Sequence, residues 1–230
     1  MNRGIKKKSK IRYDRILVCI IVLIIIISLI YVYLNRNLKN IYILGNEYLN
    51  DQTIIEIAQI ENYPKMTQID TLEIKKDLLN NNYITDVDID KKGTEILIKI
   101  KEAKPIYYDL TAKKTVLSNG KKTDDTYIVP TLINYVPNTI VNDFIKVMTE
   151  VEAETLAKIS EIKYDPNIDP ERFLLTMTDG NYVYININRF KLINNYLTII
   201  SNFKDQKGII YLDSGSHFEL FKEEKEKKNG

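Results

Sequence analysis

Near its C-terminus the chain reads GIIYLDSGSHFELF, residues 208–221, and there Asp213, Ser214, Ser216 and His217 fall within five positions. A carboxylate, a hydroxyl and an imidazole are the parts of a nucleophile with its general base. His217 is the one histidine among 230 residues, so a histidine base has no other source. Strand geometry argues against that role. Side chains alternate along a strand, which sends Asp213, Gly215 and His217 to one face and Ser214 and Ser216 to the other. A turn at Ser214–Gly215 would break the alternation, but there is no G-x-S-x-G elbow and no strand-to-helix turn after Ser214. A terminal hairpin or bent strand, with Gly215 supplying a backbone conformation that other residues resist, accounts for the same letters without catalysis.

Other chemistry is weaker still. Asp86, Asp88 and Asp90 imitate positions one, three and five of a calcium loop, but Lys91 stands where glycine is needed and Leu97 where glutamate is needed. These three carboxylates read as the wet face of a strand. Zinc requires several His or Cys ligands, and the chain has one of each, His217 and Cys19. Eight glycines form neither a phosphate loop nor a dinucleotide fingerprint. No cofactor, metal or small-molecule substrate is expected.

What must position any site starts with a membrane. Ile16 to Leu34, ILVCIIVLIIIISLIYVYL, runs without a charge and would make a helix roughly 28 Å long, close to the thickness of a bilayer core. The fifteen residues before it hold seven Lys or Arg against one Asp, net +6, leaving −4 for the rest of a chain whose total is +2. The positive-inside rule then puts the N-terminus in the cytoplasm and everything after Leu34 outside. A cleaved signal peptide is the alternative, but bulky Tyr31, Tyr33 and Leu34 stand where a small-residue cleavage site would be. With Cys19 inside the apolar run, the external part can form no disulfide and must be held by its core. Sixteen tyrosines could stack bases, but a net-negative external part disfavours nucleic acid.

Beyond a polar spacer, IYILGNEYL predicts a strand and a Gly45–Asn46 turn, and Asn50–Asp51 predicts the start of a helix carrying Ile54, Ile57 and Ala58. Asp70 and Glu73 have capping-box spacing, and Leu72, Ile74, Leu78 and Leu79 would give that second helix a broad inner face. ITDVDID and TEILIKIKE, joined by Lys91-Lys92-Gly93, read as a strand pair with Ile96, Ile98 and Ile100 inward. This β-α-α-β-β order directly after one membrane span resembles a POTRA domain. Such a unit offers strand edges for a partner rather than a concave pocket.

The second half predicts a helix from about Asn142 to Ile159. Strands around a Pro-bearing turn follow, then a hairpin turn at Asp179–Gly180 and a helix from about Phe190 to Phe203. The ordered pieces EAKP, LSNG, VPTL, SEIKYDPN, TDGNYVYI and KGIIYLDSGSHFELF resemble the FtsQ/DivIB family of bacterial division proteins, in its low-GC Gram-positive DivIB branch. The expected class is therefore α+β: a single transmembrane helix, a POTRA domain and a mixed β domain with flanking helices. The boundaries are a basic cytoplasmic tail at 1–15, the membrane helix at 16–34, the POTRA domain at 35–105, the β domain at 106–221 and a charged, frayed tail at 222–230.

The resemblance implies a non-catalytic single-pass scaffold at the division septum. It would bind the small bitopic proteins FtsB/DivIC and FtsL and help to control septal peptidoglycan synthesis. It also implies a partner surface formed by Tyr211, Leu212, Ser214, Gly215, Phe218 and Phe221, although the two phenylalanines could equally be core. Two other readings stand beside it. One is a membrane-anchored cell-wall enzyme using two converging carboxylates; the other is a chaperone for exported chains, which usually has several such domains, whereas no internal repeat is present here.

Overall fold

The structure, a computed structural model, describes residues 13–203 and 206–221. The basic run before Tyr13 and the charged tail after Phe221 lie outside the described residues. Helix α1, Tyr13–Leu34, is the one described helix long and apolar enough to cross a membrane. At about 33 Å it matches a bilayer core. Its start precedes the charge-free run and takes in Asp14 and Arg15.

The chain divides into two compact units, the first made of Met1–Asn46, Asn50–Leu78 and Val87–Ile100, the second of Glu47–Leu49, Leu79–Asp86 and Lys101 onward. After α1 come β1 (Asn40–Leu44), α2 (Asp51–Ile57), α3 (Thr71–Asn80), β2 (Ile84–Lys92) and β3 (Glu95–Glu102), with the sheet ordered β1-β3-β2. The β-α-α-β-β order expected from the sequence is present. β1 runs parallel to β3, pairing Ile41 with Ile96 and Ile43 with Ile98. Period-two alternation buries Ile96, Ile98 and Ile100, while Ile54, Ile74 and Leu78 come down from the helices.

Caps fix where those helices begin. The Asn50 side chain accepts the Thr53 N–H at 2.8 Å, and Asp70 accepts those of Leu72 and Glu73 at 2.8 and 3.4 Å. Leu72 departs from the expected inner face, being 77% exposed. It lies two residues before Ile74, about 200° round the helix, so the four-residue step from Ile74 to Leu78 carries the buried stripe instead. Gly45 needs its freedom: φ is +88°, and a Cβ there would strike the Ile100 carbonyl. Asp86, Asp88 and Asp90 are exposed, and Lys99 bridges Asp88 at 3.4 Å and Asp90 at 3.3 Å.

The second unit holds β4 (Pro105–Asp109), β5 (Lys114–Leu117), β6 (Lys122–Thr123), β7 (Thr131–Leu132), α4 (Val141–Thr149), α5 (Ala153–Leu156), β8 (Ile159–Tyr164), β9 (Arg172–Met177) and β10 (Tyr182–Asn186). A 3-10 helix (Ile187–Asn195), α6 (Tyr196–Ser201), β11 (Gly208–Tyr211) and β12 (His217–Leu220) complete it. Nine strands form one sheet in the order β12-β11-β10-β9-β8-β7-β4-β5-β6. Its core centres on Phe144 of α4, which stacks on Phe173 at 4.4 Å and meets Tyr107 and Phe190 at 5.3 and 6.0 Å.

Two expected helices take different forms. The stretch expected to be helical to Ile159 breaks after α4, and Ile159 already belongs to β8. Asn194 holds the break open, donating to the Glu150 carbonyl at 3.1 Å and accepting the Glu152 N–H at 3.0 Å. The later segment begins as a 3-10 helix. Its buried residues Phe190, Ile193 and Tyr196 recur every third position, which fits three residues per turn.

Candidate partner-binding surface

The stretch that suggested chemistry folds as a hairpin. β11 and β12 pair antiparallel with Gly208 opposite Leu220 and Tyr211 opposite His217, and residues 212–216 form the turn. Asp213 turns towards Arg172, whose Nε donates to Oδ2 at 2.7 Å, while its other carboxylate oxygen takes the Ser214 N–H at 2.8 Å and hydroxyl at 3.2 Å. The imidazole of His217 lies flat on the Tyr211 ring, 4.6 Å between centroids and 9° from parallel. The acid thus binds the Ser214 hydroxyl and the Arg172 guanidinium, while the imidazole is held apart from both against the Tyr211 ring.

Arg172 is 5% exposed at the start of β9 and also reaches Asp165 at 3.3 Å. Its guanidinium covers the Tyr184 ring at 3.6 Å, and Tyr184 stacks on Tyr211 at 5.5 Å. Register explains the stack. Tyr184 of β10 is paired with Tyr211 of β11, which is paired with His217 of β12, so the three rings project from the same face of adjacent strands. Val183, Ile185 and Ile210 point to the opposite face and are buried in the core.

The residues singled out from sequence fall into three settings. Tyr211 is half-buried in the ring stack, and Phe221 is 41% exposed with its ring 5.8 Å from Tyr182. Phe218 faces the core side of the sheet, half-buried, with its ring 4.3 Å from that of Phe203. Leu212 is 1% exposed, so its side chain belongs to the core and only its neighbours reach the surface. Ser214 is exposed in the turn. Gly215 is outside the positive-φ glycines, and a Cβ on it would meet only His217 Nδ1 at 3.7 Å, so the special backbone expected of it is not used. Arg172, Tyr184 and Phe203 join the site only in the folded sheet; the outward alternation of YVYIN signals Tyr184, whereas nothing local marks Arg172.

β12 is an edge strand. The Phe221 N–H donates to the Lys207 carbonyl at 3.0 Å, and the Leu212 N–H to Tyr184 at 2.7 Å on the other side of β11. Alternation then fixes the rest: His217 and Glu219 turn their main-chain groups to β11, and Phe218 and Leu220 turn theirs to the open side. Among the described residues no strand pairs with that side.

Burial pushes the Asp213 carboxyl up, but the Ser214 N–H and the Arg172 guanidinium pull harder and hold it below the usual carboxylate range. Asp179 is likewise raised by burial and lowered further by the Tyr196 hydroxyl and the Asn181 N–H. A carboxyl whose folded pKa is depressed adds stability that is fully present above the unfolded value of about 4 and is lost as pH falls through the folded one. Melting temperature should therefore fall steeply below about pH 4, and Asp213→Asn should flatten that acid limb. Thermal melts from about pH 2 to 7 on both proteins check this.

Residues 36–102 match the family model "POTRA domain, FtsQ-type". Across 94% of its length the chain is 30% identical to a cell division protein DivIB from Bacillus subtilis, covering 88% of that relative. A DivIB from Listeria monocytogenes is 25% identical over 97% of the chain and 87% of its own length. Among solved structures, the major extracytoplasmic domain of the trans isomer of DivIB from Geobacillus stearothermophilus overlaps 46% of the chain and 96% of that domain, with a TM-score of 0.38 and 23% identity.

Proposed function

The chain belongs to the DivIB family of cell division proteins, and from that premise we propose that it is a non-catalytic membrane scaffold of the division machinery. The N-terminus stays in the cytoplasm, held there by the basic flank of α1, and both units lie outside at the septum. The β domain receives a strand from an FtsB/DivIC-like bitopic protein, with an FtsL-like protein in the same complex. That assembly helps to control septal peptidoglycan synthesis.

One observation carries this reading: β12 ends the nine-stranded sheet with the N–H and C=O groups of Phe218 and Leu220 facing outward. Unpaired edges invite strand addition, in which main-chain bonds supply affinity and alternate side chains supply specificity. The contacts of Asp213 and His217 favour binding over catalysis, because neither is directed at a common reacting atom.

Leu220→Pro tests the edge selectively. Proline at 220 removes an outward N–H while leaving the β11 pairings in place, and edge strands tolerate it. With full-length protein in nanodiscs and the external segment of the host's DivIC-like protein as titrant, affinity should fall about ten-fold or more. Unchanged affinity for the proline variant would move the interface elsewhere.

A further inference from the structure

We infer that the strand docking on β12 carries an aromatic side chain opposite His217 and a basic one opposite Glu219. This rests on the strand-addition reading above and specifies what the added strand must look like. The stack that begins at the Arg172 guanidinium passes through Tyr184 and Tyr211 and ends on His217, the last ring before the open edge. The three rings sit in register on neighbouring strands, so the next position belongs to whatever strand comes next. One ring face of His217 is covered by Tyr211, and the residue as a whole is exposed.

Strand geometry makes the match specific. Phe218 and Leu220 supply the outward main-chain groups, so an antiparallel newcomer meets His217 and Glu219 at non-hydrogen-bonded positions, where Cα atoms approach to about 4.5 Å and side chains touch most closely. A ring there continues the stack at the inter-strand spacing of about 4.8 Å. On the same face Glu219 is an exposed anion, which a Lys or Arg two residues along the newcomer complements. The intervening residues of the newcomer turn towards the side of Phe218 and half-exposed Leu220 and are apolar. The occupant is therefore a strand alternating aromatic, apolar, basic, apolar.

Cysteine scanning and a double-mutant cycle test this in the full-length chain, with Cys19→Ser as background, against single-cysteine variants of the external segment of the host's DivIC-like protein. Under mild oxidation His217→Cys should cross-link best to a position that natively holds an aromatic residue. Alanine at that partner position should weaken binding about five-fold to wild type and add little to the loss already caused by His217→Ala. His217→Phe, which keeps a flat ring, should recover most of the affinity that His217→Ala loses.

Cross-linking to a non-aromatic position, or equal losses from partner alanine in both backgrounds, overturns the aromatic match and leaves strand addition standing. Intact binding with no cross-link from either His217→Cys or Glu219→Cys, or cross-links only between copies of this chain, overturns edge pairing with that partner and this inference with it.

Discussion

Replacing Arg172 with alanine is expected to destabilise the β domain by about 3–5 kcal/mol, because it strands two carboxylates that have little water to fall back on. The side chains of Asp165 and Asp213 are 10% and 11% exposed, and the guanidinium between them is 6% exposed. A lone buried ion costs far more than a pair, so the loss exceeds what the two contacts contribute as contacts. Truncation also uncovers the Tyr184 ring at the head of the stack. Lysine should rescue only part of the loss, since one ammonium cannot both bridge the carboxylates and lie flat on a ring. Neutralising the carboxylates in the triple variant Arg172→Met, Asp165→Asn, Asp213→Asn should recover most of it. Hydrogen exchange of the β9 to β11 amides in the full-length protein reads the effect directly. Wild-type protection in Arg172→Ala would show that the cluster is wet or redundant.

This cluster also marks where local reading of the sequence stops working. Ile96, Ile98 and Ile100, the Asp179–Gly180 hairpin and the charge-free run of α1 are signalled by residues a few positions apart, and all three form as expected. Arg172 meets partners seven and 41 positions away, and no periodicity links it to Asp213. Its role depends on β10 and β11 running parallel, a pairing made across the 3-10 helix and α6. Leu212 shows the same limit on a smaller scale. It follows Tyr211 in a stretch that reads as surface, yet its N–H bonds Tyr184 and its side chain enters the core. Which strand is at the edge, and which face is open, is a property of the assembled sheet.

Gly208 gives that assembled sheet its sharpest sensitivity. A methyl group on it would strike the Glu219 carbonyl and lie 2.9 Å from the Phe218 ring, both on β12. The ring can swing aside, but the carbonyl is main chain and must move with its strand. β11 cannot yield instead. Its Gly208 N–H is bound by buried Asn181 Oδ1 at 2.9 Å, Asn181 donates to the Tyr196 hydroxyl at 3.2 Å, and that hydroxyl is fixed on Asp179 at 2.7 Å. Gly208→Ala should therefore displace β12 alone, at a cost of about 1–3 kcal/mol that falls on the edge strand. Partner affinity should drop by up to about 100-fold, with exchange protection lost at Glu219 and Phe221 and kept across β9 and β10. Gly215→Ala is the matched control for the strand, because its new Cβ meets nothing closer than 3.7 Å, and it should keep β12 protection. If Gly208→Ala loses β12 protection yet keeps full affinity, the ordered edge is not what the partner recognises.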